Sequence, residues 1–207
     1  MISTVRQCFQ QCLDGIEFAR QGRSTESAMA FHDAIETYPG SVSAHLCLAM
    51  YLQASKQYQQ AMNQFDIAIQ LALHHSFMSS RLFHCRAILH QEMSNTSTAI
   101  SDLDLAIQYD SCFPEAMLLR GKLLLESRDY LAAINDFEAV LQIDANMKGA
   151  TAARAEALDK LQRQQTCADH CQSLLQRHLT EFPTRRKQQR KIGRHSVKRR
   201  PFSPKNC

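Results

Sequence analysis

Large and small apolar side chains recur along this chain at a fixed interval. The small residues Gly15, Ala49, Ala87 and Gly121 stand 34, 38 and 34 positions apart, and Ser27, Ala61, Ala99 and Ala133 keep the same steps. The large residues Phe31, Phe65, Leu103 and Phe137 follow in register. So do Ala34, Ala68, Ala106 and Val140, and then Ile35, Ile69, Ile107 and Leu141. Two antiparallel helices approach closely only where side chains are small, and a large apolar residue fills the hole between one hairpin and the next. The pattern therefore predicts a stack of helical hairpins, each burying its apolar face against its neighbours.

The units are expected at 8–41, 42–75, 80–113 and 114–147, after a lead-in over 1–7. Four extra residues near His75 to Ser79 account for the interval of 38 and should lengthen one inter-repeat loop. Over 148 to about 163, Ala150, Ala153, Ala157, Leu158 and Leu161 form a stripe with Arg154, Glu156, Asp159 and Lys160 outside it, as a solvated cap helix requires. A further helix is expected from about Cys167 to Leu179, completing a segment 148–182. Pro183 and the charge run behind it end regular structure, so 183–207 is expected to be a disordered basic tail.

Gly15, Ser27, Phe31, Ala34 and Pro39 in the first unit, and Gly121, Tyr130, Ala133 and Phe137 in the fourth, resemble the tetratricopeptide repeat (TPR) pattern of a small residue in helix A, Ala and Phe in helix B, and a closing Pro. The resemblance implies an all-α, right-handed TPR solenoid of four helix-turn-helix repeats with a C-terminal capping helix. It covers about two-thirds of the chain. The family's early Trp is absent, only the first unit ends in Pro, and His90 stands where Phe18, Leu52 and Leu124 stand, so the third unit is expected to pack most loosely. The stretch 118–141 also resembles the repeats of J-domain co-chaperones, although the chain has no His-Pro-Asp motif.

In such arrays the A helices line a concave face. The resemblance places Cys12, Ile16, Leu46, Met50, His84, Ile88, Leu118 and Lys122 there, with Arg81 at its edge. This row is mainly apolar and suits an amphipathic helix or an extended peptide with two or three apolar anchors. Any one of these residues, Cys12 above all, could equally be core between hairpins. Family members that bind chaperone C-termini use a clamp of Lys, Asn and Arg. Its positions fall here on Cys12, Ile16, Cys47, Arg81 and Cys85, of which one is basic, so weak or no binding of a free acidic C-terminus is expected. The leading reading is a protein-binding adaptor or scaffold; the alternatives are a nucleic-acid-associated or nuclear protein acting through a basic C-terminal tail, and a co-chaperone lacking the clamp.

Charge is divided unevenly. Of 24 Lys and Arg, ten lie in 183–207, which has no Asp or Glu, so the body carries 14 basic against 20 acidic residues and is near −6 while the tail is near +10. Arg185, Arg186, Lys187, Arg190 and Lys191, followed by Lys198, Arg199 and Arg200, are spaced like a two-part nuclear import signal and could also neutralise phosphates of nucleic acid. A solvated terminus is the plain alternative. Ser203 before Pro204 matches a proline-directed phosphorylation site. No apolar run of membrane-span length occurs, so a cytoplasmic protein, with nuclear entry through the tail, is expected.

Eight cysteines in helical segments read as reduced thiols. Cys167, His170, Cys171 and His178 could share a helix face, yet their spacing matches no zinc finger, and no metal or cofactor is expected. The six glycines are scattered and form no phosphate loop, and Cys85 points away from His84 and His90 on a helix. A catalytic role is not expected.

Overall fold

A computed structural model describes residues 2–72 and 76–181. The chain divides into two compact units, Met1–Leu158 and Asp159–Cys207. The first holds four helical hairpins: α1 (Ile2–Arg20) with α2 (Ser24–Thr37), α3 (Val42–Ala54) with α4 (Tyr58–Ala72), α5 (Ser76–Glu92) with α6 (Thr96–Tyr109), and α7 (Pro114–Glu126) with α8 (Tyr130–Ile143). No strand occurs among the described residues. The expected all-α solenoid is the observed architecture.

The repeated columns do what their sizes dictate. Phe31, Phe65, Leu103 and Phe137 are 2%, 0%, 0% and 0% exposed, and the facing small residues are equally buried. A Cβ built on Gly15 falls 2.6 Å from the Phe31 ring, and one on Gly121 falls 2.7 Å from Phe137, so these two crossings have no room for a methyl group. Ser27 adds a buried hydrogen bond, its hydroxyl donating to the Gly15 carbonyl at 2.8 Å.

Each A helix ends the same way. Gly22, Lys56, Ser94 and Arg128 all adopt positive φ, between 60° and 75°, and the next N–H returns to Phe18, Leu52, His90 and Leu124 at 2.8–2.9 Å. This left-handed stop satisfies an orphan carbonyl and turns the chain into helix B. Only the first hairpin uses the residue that adopts this conformation without steric cost.

Polar columns keep the same intervals. Arg86 binds Asp102 through Nε and Nη2 at 2.8 and 2.6 Å and reaches Asp66 of the preceding hairpin at 2.6 Å. Thirty-four residues later, Arg120 repeats the arrangement with Asp136 at 2.8 and 2.6 Å and Asp104 at 2.6 Å. Arg154, a further 34 residues on, meets Glu138 at 3.5 Å. Each arginine joins one B helix to the helix that follows it, and hydrogen bonds donated to the carboxylates raise the guanidinium pKa of Arg86 and Arg120 and keep both charged.

Four expectations need correction. The four inserted residues do not only lengthen a loop: α5 has 17 residues where α3 and α7 have 13, so the insertion becomes an extra first turn, tied down by the Ser79 hydroxyl donating to the Ala72 carbonyl at 2.9 Å. The third hairpin is not loose, because Ala87, Leu89 and Leu103 are each 0% exposed and Asp102 lies 3.7 Å from His90, giving the imidazole a polar neighbour. The segment 148–182 is not two helices but a single one, α9 (Ala150–Glu181), because no Gly or Pro interrupts it and Gln162 to Gln165 are good helix formers. The lead-in 1–7 likewise joins α1, which starts at Ile2. Within the first unit, α9 buries Ala150 and Ala157 completely. In the second, the described side chains from Gln162 to His178 are all exposed.

Candidate functional site

The predicted row on the A helices splits by depth. Met50 and Ile16 are exposed, at 53% and 39%, and Ile88, His84 and Leu46 are half-buried. Arg81 and Lys122 are exposed, with Arg81 over the Phe77 ring at 5.8 Å. Cys12 and Leu118, at 4% and 9%, belong to the core and offer a partner almost no surface. Helical phase is not the reason, because half-buried Leu46 and His84 occupy the same column; the neighbouring helices cover these two more completely.

Met50 and Ile88 come together. With Gln53, Ala54, Cys85 and Glu92 they line a depression of about 270 Å³ between α3 and α5. The Gln53 amide donates to Glu92 at 2.8 Å across its end. The walls are apolar and the rim polar, the usual composition of a site that anchors an apolar side chain. Midway along α5, His84 packs on Phe113 at the start of α7, with ring centroids 5.0 Å apart, and burial lowers its pKa. Burial also raises the pKa of the Cys85 thiol, so it acts here as a small hydrophobe.

Sequence reasoning missed the most apolar part of this surface. On α1 the residues Ile2, Val5, Phe9, Leu13 and Ile16 are 83%, 46%, 59%, 43% and 39% exposed and form one stripe. Leu13 stands in the column of Cys47, Cys85 and Leu119, and Phe9 in that of Ser43, Arg81 and Glu115. Following the columns of Arg81 and Cys85 back into α1 would have found both. From α1 to α7 the outermost column changes from Ile16 through Met50 and Ile88 to Lys122, so the surface is apolar at its start and charged at its end.

Arg185, Arg186, Lys187, Arg190, Lys191, Lys198, Arg199, Arg200 and Ser203 lie outside the described residues. Cys167, His170, Cys171 and His178 are exposed on α9, and among the described residues no group of three or more His, Cys, Asp or Glu is placed to hold a metal ion. Among those residues no helix is long and apolar enough to cross a membrane.

No family model matches the sequence. A curated relative, the DnaJ homolog subfamily C member 7 homolog of Dictyostelium discoideum, is 27% identical over 113 residues, covering 51% of this chain, which spans only 21% of that protein's length. Among solved structures, a tetratricopeptide repeat protein from Parabacteroides merdae superposes with a TM-score of 0.65 at 16% identity, over 87% of this chain and 68% of that one. YrrB, described as a TPR protein with an unusual peptide-binding site, superposes with a TM-score of 0.54 at 16% identity, over 72% of this chain and 79% of that one. The fold is that of tetratricopeptide repeat proteins, as the sequence pattern implied.

Proposed function

We propose that this protein is a non-catalytic adaptor whose A helices receive a partner's amphipathic helix or extended segment through two or three apolar anchors. The observation that carries the reading is the depression between α3 and α5, where exposed Met50 and half-buried Ile88 meet within a polar rim. Large apolar side chains left at a concave, preformed site contribute affinity because a partner removes them from water. The stripe of Phe9, Leu13 and Ile16 extends the same kind of surface along α1 and supplies further anchor sites. One basic residue, Arg81, among the positions of the carboxylate clamp favours apolar over acidic peptides.

The test is a selection of displayed helical and unstructured peptides on the intact chain, repeated with the double variant Met50→Glu, Ile88→Glu. Peptides that owe their binding to the depression should lose at least about tenfold in affinity, the effect of removing one good anchor. Selected peptides that bind both proteins equally would end this reading.

The similarity to a DnaJ homolog favours one second reading, a co-chaperone that engages its chaperone without the clamp. A chaperone interaction that survives removal of the chaperone's last residues supports it, and strict dependence on those residues refutes it.

A further inference from the structure

The interface of the first two hairpins contains a group of thiols that packing alone does not demand. Cys8 and Cys12 on α1 are 3% and 4% exposed and share one core cluster with Ala34 and Ala44, and Cys47 of α3 packs against it half-buried. Packing therefore brings thiols of α1 and α3 together across the interface of the first two hairpins. At the equivalent pairs of positions the later interfaces carry Leu46 with Cys85, and His84 with Leu119. No later interface assembles three thiols. A depression of about 450 Å³ opens beside Cys8 and Cys12, and Cys47, which does not line it, is only half-buried and so open to a small oxidant from its own side.

We propose that Cys12 and Cys47 are a redox modification site, in which Cys47 meets a hydroperoxide and Cys12 closes a reversible disulfide between α1 and α3. The Cys47 sulfur attacks the hydroperoxide, the O–O bond breaks, and sulfenic acid forms as water or alcohol leaves. The Cys12 sulfur then displaces hydroxide from that sulfenic sulfur, and its proton completes a water molecule. In sum two thiols lose two electrons and two protons, and one hydroperoxide is reduced. Cys47 is half-buried whereas Cys12 is 4% exposed, which assigns the outer sulfur as the nucleophile and the inner one as the resolving thiol; the neighbouring Cys12 also lowers the Cys47 pKa. Cys85, in the column of Cys47, has no such neighbour and its pKa is raised by burial. Exposed Cys112, Cys167 and Cys171 serve as internal controls.

The experiment treats the intact chain with hydrogen peroxide, alkylates remaining thiols, digests with trypsin and reads unreduced peptides by mass spectrometry. Peptide 7–20 holds Cys8 and Cys12, and peptide 24–56 holds Cys47 alone. A linked pair lighter by two hydrogens, lost on reduction and still formed by Cys8→Ser, is the expected product. It should appear before Cys112, Cys167 or Cys171 is consumed, and it should raise the melting temperature by about 5 °C or more, because it closes a loop of some thirty residues. Sulfinic acid at Cys47 with no linked pair would overturn the proposal, as would a link that persists in Cys12→Ser or faster oxidation of the three exposed thiols. Wild type and Cys8→Ser decide the matter even if a change at Cys12 or Cys47 disturbs folding.

Discussion

The first two hairpins and the last two solve the same packing problem with different chemistry. In the third and fourth, Arg86 and Arg120 each bind a nearly buried Asp of their own hairpin and a more exposed Asp of the preceding one. In the second, the same column holds Leu48, 1% exposed, and Gln64 stands where Asp102 and Asp136 stand and bonds His45 at 2.8 Å instead. A buried guanidinium and its carboxylates therefore occur together or not at all, because either alone would leave an uncompensated charge. The opposite trend holds on the outer surface. The start of the array exposes Phe9, Leu13, Ile16 and Met50, whereas the end exposes Glu115 and Lys122. The teaching is that periodicity specifies size and direction at each column and leaves its polarity open.

That contrast can be broken most severely at Asp136. Asp136→Ala leaves Arg120 partly buried without its two-pronged partner and should cost about 3 kcal/mol, read by urea denaturation. Replacing both, as Arg120→Met with Asp136→Leu, should recover most of that loss if the apolar solution seen at Leu48 is transferable. A double variant as unstable as the single one would show that the ladder sets the hairpin spacing. Next in size is the crossing of A and B helices. Gly121→Ala should destabilise by about 2 kcal/mol through overpacking against Phe137, whereas Ala already occupies this column at Ala49 and Ala87.

The left-handed helix stops permit a gain. Ser94→Gly and Arg128→Gly should each stabilise by about 0.5–1 kcal/mol, as Gly22 already does for the first hairpin, and unchanged denaturation midpoints would refute the steric argument. The smallest effect concerns pH. Burial lowers the pKa of His84, so the unfolded chain takes up its proton first as pH falls. The contribution of this neutral imidazole is present above the ordinary histidine range and is lost as pH drops through and below it. Wild type should therefore weaken between pH 7.5 and pH 5 more than His84→Phe does, and parallel slopes in the two proteins would count against it.

Much of the fold was legible because a solenoid writes its packing as a period. The columns of Gly15, Phe31 and Ala34 needed only spacing and size to be read, and the four-residue insertion announced itself as a break in step. Arg86, Arg120 and Arg154, with Asp66, Asp104 and Glu138, keep the same intervals, yet a search among apolar positions alone passes over them. Phe9 and Leu13 were missed for a related reason: the row was drawn from the columns of Cys12 and Ile16, and the neighbouring columns turn apolar only in α1.

The amino-acid sequence by itself determined the number of hairpins, their order and the residues that cross between them, because these follow from side-chain volume at a fixed repeat. Tertiary structure alone decided depth and connection. It placed Cys12 and Leu118 inside while leaving Met50 and Ile16 outside, turned the insertion into a helical turn, and ran α9 without a break to Glu181. Helical phase defines which way a side chain points, but how much water reaches it depends on the neighbouring helices, which no single repeat contains.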